Sequence, residues 1–259
     1  MEHLISSAII DRYFAKLKAY LKIDCAIVGS GPSGLICGYY LAKAGYKTAI
    51  FERRLKPGGG ITGGAMLFNE IVFPSSLIEF LTQFGIRTVR VSGTDDFVTA
   101  DSVEVASALT YQAVHAGAVI FNGICVEDLL MKEGRIAGLV INWNEVLQNG
   151  LHVDPLMIES KTVLDAGGHD AELTAKFARK AGIKLKTKTG GIMGEKPMWA
   201  EEGEKSTVDN TSSVFPGLFV SGMAANGVHG SFRMGPIFGG MIYSGQKAAE
   251  LIIEELERI

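Results

Sequence analysis

A glycine signature lodged between an apolar run and a helix constrains this chain more than any other feature. Residues Ile23 to Val28 form a short apolar run that leads directly into Val28-Gly29-Ser30-Gly31-Pro32-Ser33-Gly34. From Ser33 to Ala44 the pattern reads as a helix ended by Gly45, and Lys47 to Phe51 reads as a second strand closed by Glu52. Strand, tight turn, helix and strand in that order open a βαβ unit, the building block of a parallel sheet. Gly29 permits the tight turn, Gly31 lets backbone approach a pyrophosphate, and Gly34 lets the helix pack on the strand. The helix start at Ser33 presents unpaired N–H groups to phosphate. Glu52 is placed to accept hydrogen bonds from both hydroxyls of an adenosine ribose, while Arg53 and Arg54 leave a phosphate-binding variant open. The expected ligand at this turn is the ADP half of a dinucleotide.

The rest of the pattern extends the α/β reading over a single domain, 1–259. Residues 4–21 place Leu4, Ile5, Ala8, Ile9, Tyr13, Leu17 and Tyr20 near helical spacing. This N-terminal segment (1–21) is expected to be an amphipathic helix packed on the domain or on a neighbouring subunit, because both charge signs on its polar face disfavour a membrane surface. Residues 71–92 suggest a helix and a strand, 102–116 a helix, and 118–143 strands turning at Glu133-Gly134. Lys161 to Ala166 and Leu218 to Val220 read as further strands, with a Gly/Met-rich turn after the second and a final helix ending near Arg258. The segment 186–213 is weakly periodic and is expected to be a long loop.

Charge excludes several functions. A net charge of −3 gives no footprint for nucleic acid, and no apolar run reaches the roughly 20 residues a membrane span needs. With no signal-peptide pattern the expected compartment is the cytoplasm. Cys25, Cys37 and Cys125 are widely spaced in apolar stretches and read as reduced core thiols.

A second glycine run, Pro57-Gly58-Gly59-Gly60-Ile61-Thr62-Gly63-Gly64, would bring backbone amides, Gly60 among them, against the same ligand; a plain flexible loop is the alternative. The order of these motifs, with Leu164-Asp165-Ala166-Gly167-Gly168 and Pro216-Gly217-Leu218-Phe219-Val220-Ser221-Gly222, resembles flavoproteins of the two-dinucleotide-binding-domain type. That resemblance implies a Rossmann-like fold of the FAD/NAD(P)-binding, glutathione-reductase-like type. Those flavoproteins continue the last motif with an acid for the flavin's ribityl chain, whereas this chain has Met223. The departure favours an adenine dinucleotide that is itself the substrate.

The resemblance narrows at Gly59-Gly60-Ile61-Thr62-Gly63-Gly64-Ala65-Met66-Leu67-Phe68, His152-Val153-Asp154-Pro155, Gly168-His169-Asp170, and Met223-Ala224-Ala225 with Arg233-Met234-Gly235-Pro236. Together these make the whole chain resemble the thiamine thiazole synthase family. The resemblance implies a transferase of the pentosyl type that converts NAD and glycine to an ADP-linked thiazole carboxylate and releases nicotinamide. Eukaryotic members carry a sacrificial cysteine two residues before the Asp of the Asp-Pro pair; His152 stands there, which resembles the archaeal branch that uses free sulfide and iron(II). By the same resemblance His152, Asp154 and His169 form the catalytic set, with Asp154 and His169 as metal ligands shared between adjacent subunits of a homo-octamer. Gly29, Gly31, Ser33, Gly34, Glu52, Arg53, Gly60, Val126, His152 and Met223 would contact the dinucleotide.

From the residues alone, His169 also reads as a strand-end histidine, Asp154 as a turn residue before Pro155, and Arg233 either as a clamp for the glycine carboxylate or as a salt-bridge residue. His229, His115 and His3 read as structural. A flavin-dependent oxidoreductase on the same scaffold and a non-catalytic NAD or ADP-ribose binder are the competing functions.

Overall fold

A computed structural model describes residues 1–259. The chain runs through α1 (Glu2–Ala19), β1 (Lys22–Val28), α2 (Pro32–Lys43), β2 (Thr48–Glu52), β3 (Glu70–Pro74), α3 (Ile78–Gln83), β4 (Val89–Arg90) and β5 (Phe97–Asp101). It continues with α4 (Ser102–His115), β6 (Val119–Asn122), β7 (Ile124–Lys132), β8 (Arg135–Trp143), α5 (Asn144–Gln148), β9 (Leu156–Asp165) and α6 (Glu172–Ala181). The last third holds β10 (Lys196–Met198), α7 (Ala200–Asn210), β11 (Ser212–Phe215), β12 (Leu218–Val220), α8 (Gly222–His229), β13 (Phe232–Arg233) and α9 (Gly239–Arg258).

The expected α/β, Rossmann-like architecture is present. β12, β9, β1, β2 and β6 lie side by side and parallel, with β11 antiparallel on the β12 edge. β7 and β8 form a hairpin whose second strand pairs antiparallel with the first half of β9. Parallel strands are covered on both faces, and the alternation of side chains divides them between two cores. Cys25, Ile27, Ile50, Leu164 and Phe219 face a layer formed with α2, α4 and α9. Ala26, Ala49, Phe51, Val163, Leu218 and Val220 face the opposite layer, with Leu139, Phe177 and Val228. Each fully buried Ile or Phe contributes about 1.5–3 kcal/mol.

Several expectations change here. The segment 186–213 is not a structureless loop: it contains β10, α7 and the start of β11. The helix escaped notice because α7 buries only Gly203 and Thr207, four residues apart and both small, so no apolar stripe marks it. The Gly/Met-rich turn after β12 is helix α8, whose first seven residues are all buried and therefore show no amphipathic period. β9 begins five residues earlier than expected because its first half is exposed on one face, leaving only the later residues continuously apolar. Cys25 and Cys37 are buried thiols, the former pushed up to about 12 by desolvation; Cys125 is only half-buried, on β7 where the burial pattern loosens.

Helix α1 packs its apolar side chains on the core through Tyr13 and Leu17, with Tyr20 just after its end. Its N-terminal apolar residues stand in water, with Leu4 63%, Ile5 54% and Ile9 64% exposed.

Helix α7 also carries a buried acid. Glu204 Oε1 accepts a hydrogen bond from the Gly240 N–H (2.6 Å) at the start of α9, while Oε2 is buried without a partner. Desolvation pushes this carboxyl up to about 7. The folded chain therefore holds a proton here that the unfolded chain releases near 4.5, so the associated stability is complete below that value and is lost as pH rises through 7. Glu204→Gln is expected to remove this slope and to exceed the parent by about 2 kcal/mol at pH 8, with little difference at pH 4. Urea unfolding at the two pH values checks it.

Candidate active site

The carboxyl ends of β1, β2, β9 and β12 open into a cleft of about 740 Å³. It lies at the switch point where β1 passes by α2 to β2 on one side while β9 flanks it on the other, the usual ligand position in open parallel sheets. Backbone, more than side chain, builds the end beside the glycine turn. Gly29 adopts φ +97°, and a Cβ there would sit 2.5 Å from the Ala166 carbonyl oxygen. Gly34 touches Gly29 so closely that its Cβ would lie 2.2 Å from that residue's oxygen. Gly31, the residue before α2, meets nothing and faces the open cleft. The second glycine run is pinned over it: the Gly58 N–H donates to Ser30 O (2.9 Å), and Gly59 and Gly60 line the wall. Ser33 is buried beneath Gly222 at the mouth of α2.

Glu52 ends β2 and is 6% exposed. Its Oε2 accepts from the Ser30 N–H (2.9 Å) and the Ser30 hydroxyl (2.6 Å), and its Oε1 accepts from the Arg54 N–H (2.9 Å). A carboxylate offers about four acceptor positions. With three occupied from within the chain, one remains open, where the sequence predicts room for two ribose hydroxyls. Beside it Arg53 pairs with Glu172 of α6 (3.0 Å) across the cleft mouth, and Ile124, Cys125 and Val126 form the adjoining wall. Both partners are more than half exposed, so the pair adds little stability.

Asp165, fully buried at the end of β9, holds the floor. It accepts from the Gly167 N–H (3.0 Å), the Thr174 N–H (3.0 Å) and the Thr174 hydroxyl (2.6 Å). Burial pushes its carboxyl up, and these bonds pull it down.

The same cleft is lined by His169, Arg233, Met198, Met223, Met234 and Met241. His169 follows β9, and its Nδ1 lies 2.8 Å from Glu195 Oε1, which fixes the ring and leaves Nε2 free. Glu195 is held in turn by flanking backbone bonds, Gly194 N–H to Gly227 O and Lys196 N–H to Ser231 O (2.9 Å each). Arg233 is exposed and takes part in none of the chain's arginine ion pairs, so the structure gives no support to the salt-bridge alternative within one chain. Met223 is 3% exposed in the first turn of α8.

His152 and Asp154 are not brought to this cleft. They lie exposed on the irregular segment 151–155 after α5, tethered by the Asn142 side-chain amide to Val153 O (3.0 Å). No three His, Cys, Asp or Glu side chains of one chain converge to hold a metal.

A family model, the Thi4 family, matches residues 6–238. The chain belongs to the Thi4 family. Thi4-like proteins named thiamine thiazole synthase, from Thermococcus kodakarensis and Methanothermobacter thermautotrophicus, are 52% and 49% identical to it, over 97% and 98% of this chain and 97% of each relative. The crystal structure of Thermovibrio ammonificans THI4 superposes with a TM-score of 0.96 at 52% identity, covering 99% of both chains.

Within this Thi4 member, the motifs of the sequence did not point to Glu195, Asn226 or Glu204. Glu195 follows Gly194 in the weakly periodic stretch, where only its position two residues before Pro197 sets it apart. Cys125 was assigned to the core, and the looser alternation of β7 was the available sign of its place in the cleft wall. No helix of the structure is long and apolar enough to cross a membrane.

Proposed function

We propose that this chain is a thiamine thiazole synthase that consumes NAD, glycine and free sulfide, with iron(II), to form an ADP-linked thiazole carboxylate and nicotinamide. The observation that carries the reading is the single cleft joining a dinucleotide cradle (Gly29, Gly31, Ser33, Glu52) to a reacting end with a free imidazole face and an unpaired guanidinium. Family membership supports the thiazole chemistry. An ADP moiety would place a ribose hydroxyl on the open position of Glu52 and its pyrophosphate at the start of α2. Arg53, Gly60 and Val126 would border the adenosine half and Met223 the distal ribose. Arg233 would hold the glycine carboxylate bidentately while the opened sugar condenses with the amine.

The donor chemistry fits iron(II): an imidazole already oriented by a carboxylate, with Asp154 supplied by a neighbouring copy because one chain leaves it outside the cleft. The metal bound there would supply Lewis acidity and a position for sulfide. His152, in place of a donor cysteine, has no sulfur to give and would orient groups at the same junction. The uncovered half of α1 offers an apolar face for contact between copies; the homo-octamer, its metal site between subunits and the cytoplasmic location are proposed from the family resemblance.

Anaerobic incubation with NAD, glycine, sulfide and iron(II) is expected to yield the adenylated thiazole over many turnovers, detected by mass spectrometry. No product with all four components overturns the proposal, and product without sulfide, accompanied by loss of a protein sulfur, overturns the sulfide assignment. Arg233→Ala is expected to raise the KM for glycine about 10–100-fold while leaving ADP affinity unchanged, the cost of one lost charged pair. Steady-state kinetics beside ADP titration calorimetry separate the two.

A further inference from the structure

Arg233 sits on an unusually slender support. Its strand, β13, is two residues long and pairs only with β10, with a register shift between Lys196 and Met198. Two residues of ladder do not fix a side chain at the rim of a cleft. What holds β13 from behind is Asn226, fully buried in α8 and absent from the cleft lining. The two hydrogens of its side-chain amide are shared among Phe232 O (3.1 Å), Gly203 O (3.1 Å) and Thr207 Oγ1 (2.8 Å). Its Oδ1 accepts from Asn210 Nδ2 (2.9 Å), and its backbone oxygen accepts from the Gly230 and Ser231 N–H groups (2.9 Å each). Thus one side chain joins α7 and α8 to the residue immediately before Arg233. From the other side, α7 approaches at van der Waals limit: a Cβ on Gly203 would lie 2.9 Å from Met234 Cα and from Phe232 O. The Trp199 N–H donates to Arg233 O (3.0 Å).

We propose that Asn226 is a positioning residue that fixes the Arg233 strand against α7 and α8, and so sets the direction of the guanidinium toward a carboxylate co-substrate; this rests on the role given to Arg233 above. The amide donors are what matter. An acceptor in their place would face the carbonyl oxygens of Gly203 and Phe232 and push β13 away. Asn226 touches no substrate, and the nucleotide end of the cleft is built by other elements.

The test is a double-mutant cycle in the full-length protein, reading KM for glycine, kcat, ADP affinity and thermal midpoint. Asn226→Ala is expected to raise KM for glycine about tenfold, leave ADP affinity within about twofold, and blunt the effect of Arg233→Ala, so that the two changes together cost less than the product of each. Asn226→Ser, which keeps one donor, is expected to fall between parent and alanine. Additive effects, an unchanged KM in Asn226→Ala while Arg233→Ala raises it, or parallel losses of ADP affinity and KM would each overturn the positioning role. Failure of both Asn226 variants to fold would also overturn it, by making Asn226 a folding residue. If Arg233→Ala alone leaves KM unchanged, the assignment of Arg233 itself falls, an outcome distinct from these.

Discussion

Gly34→Ala is expected to cost about 3 kcal/mol or more of folding stability and to abolish ADP binding together. The added methyl would lie 2.2 Å from the Gly29 carbonyl oxygen, and that obstacle is backbone, not the movable end of a side chain. Relief requires α2 to lift from β1. The Ile27 methyl at 3.3 Å and the Ala166 backbone behind Gly29 leave little room for the strand to retreat. Overpacking of a close-packed interior usually costs 1–3 kcal/mol, and here the strained contact is also the turn proposed to hold the pyrophosphate. Of the total stability of a domain, about 5–15 kcal/mol, such a loss is readily measured by the shift in urea midpoint. A parent-like midpoint with intact ADP affinity would show that the helix and strand can separate without harm. Gly31→Ala makes the contrast: its methyl meets no protein atom, so stability should hold while ligand binding falls.

His169→Ala is expected to lower turnover at least about 100-fold and to reduce bound iron per chain, with ADP affinity unchanged. The imidazole is the one histidine in the cleft, and its ring is already oriented through Nδ1 by Glu195. Loss of an outer partner of a metal ligand commonly costs 10–100-fold in affinity or activity; loss of the ligand itself removes both the bond and its orientation. Metal analysis and single-turnover assays under anaerobic conditions read the two effects separately. Full iron content with full activity in this variant would remove His169 from the proposed site.

Much of the glycine-turn end of the cleft was legible in the sequence because its constraints are local. Gly29, Gly31 and Gly34 are glycines for reasons of φ, open approach and close packing that follow from a strand–turn–helix alone, and Glu52 follows from the end of the next strand. The five parallel strands announced themselves as short apolar runs. Legibility failed where burial is done by small residues. Helix α7 buries Gly203 and Thr207, and α8 buries residues on every side, so neither has the one-sided stripe by which helices are read.

The part of the cleft around His169 and Arg233 is assembled from long-range pairings that no spacing encodes. Glu195 meets His169 across 26 residues, and Asn226 reaches Gly203 across 23. The segment with His152 and Asp154 shows the same limit from the other side. Its composition suits chemistry, yet within one chain it does not line the cleft, and the residue before a proline declares its backbone, not its neighbours. Glu52 was found, but its internal hydrogen bonds from Ser30 and Arg54 could not be counted in advance.

The two-residue pairing of β10 with β13 has a consequence for the order of events. The glycine turn hangs on β1, which pairs with β9 from Lys22 to Val28 and with β2 from Cys25 to Val28, and it can come apart only with the sheet itself. The Arg233 strand is held by one short pair, the Trp199 N–H, the Asn226 amide and the close approach of Gly203, so it belongs to a smaller cooperative unit that opens at lower free energy. Under the proposed function a dinucleotide would stay seated while the Arg233 end opens, and small reactants would exchange through that end without its release.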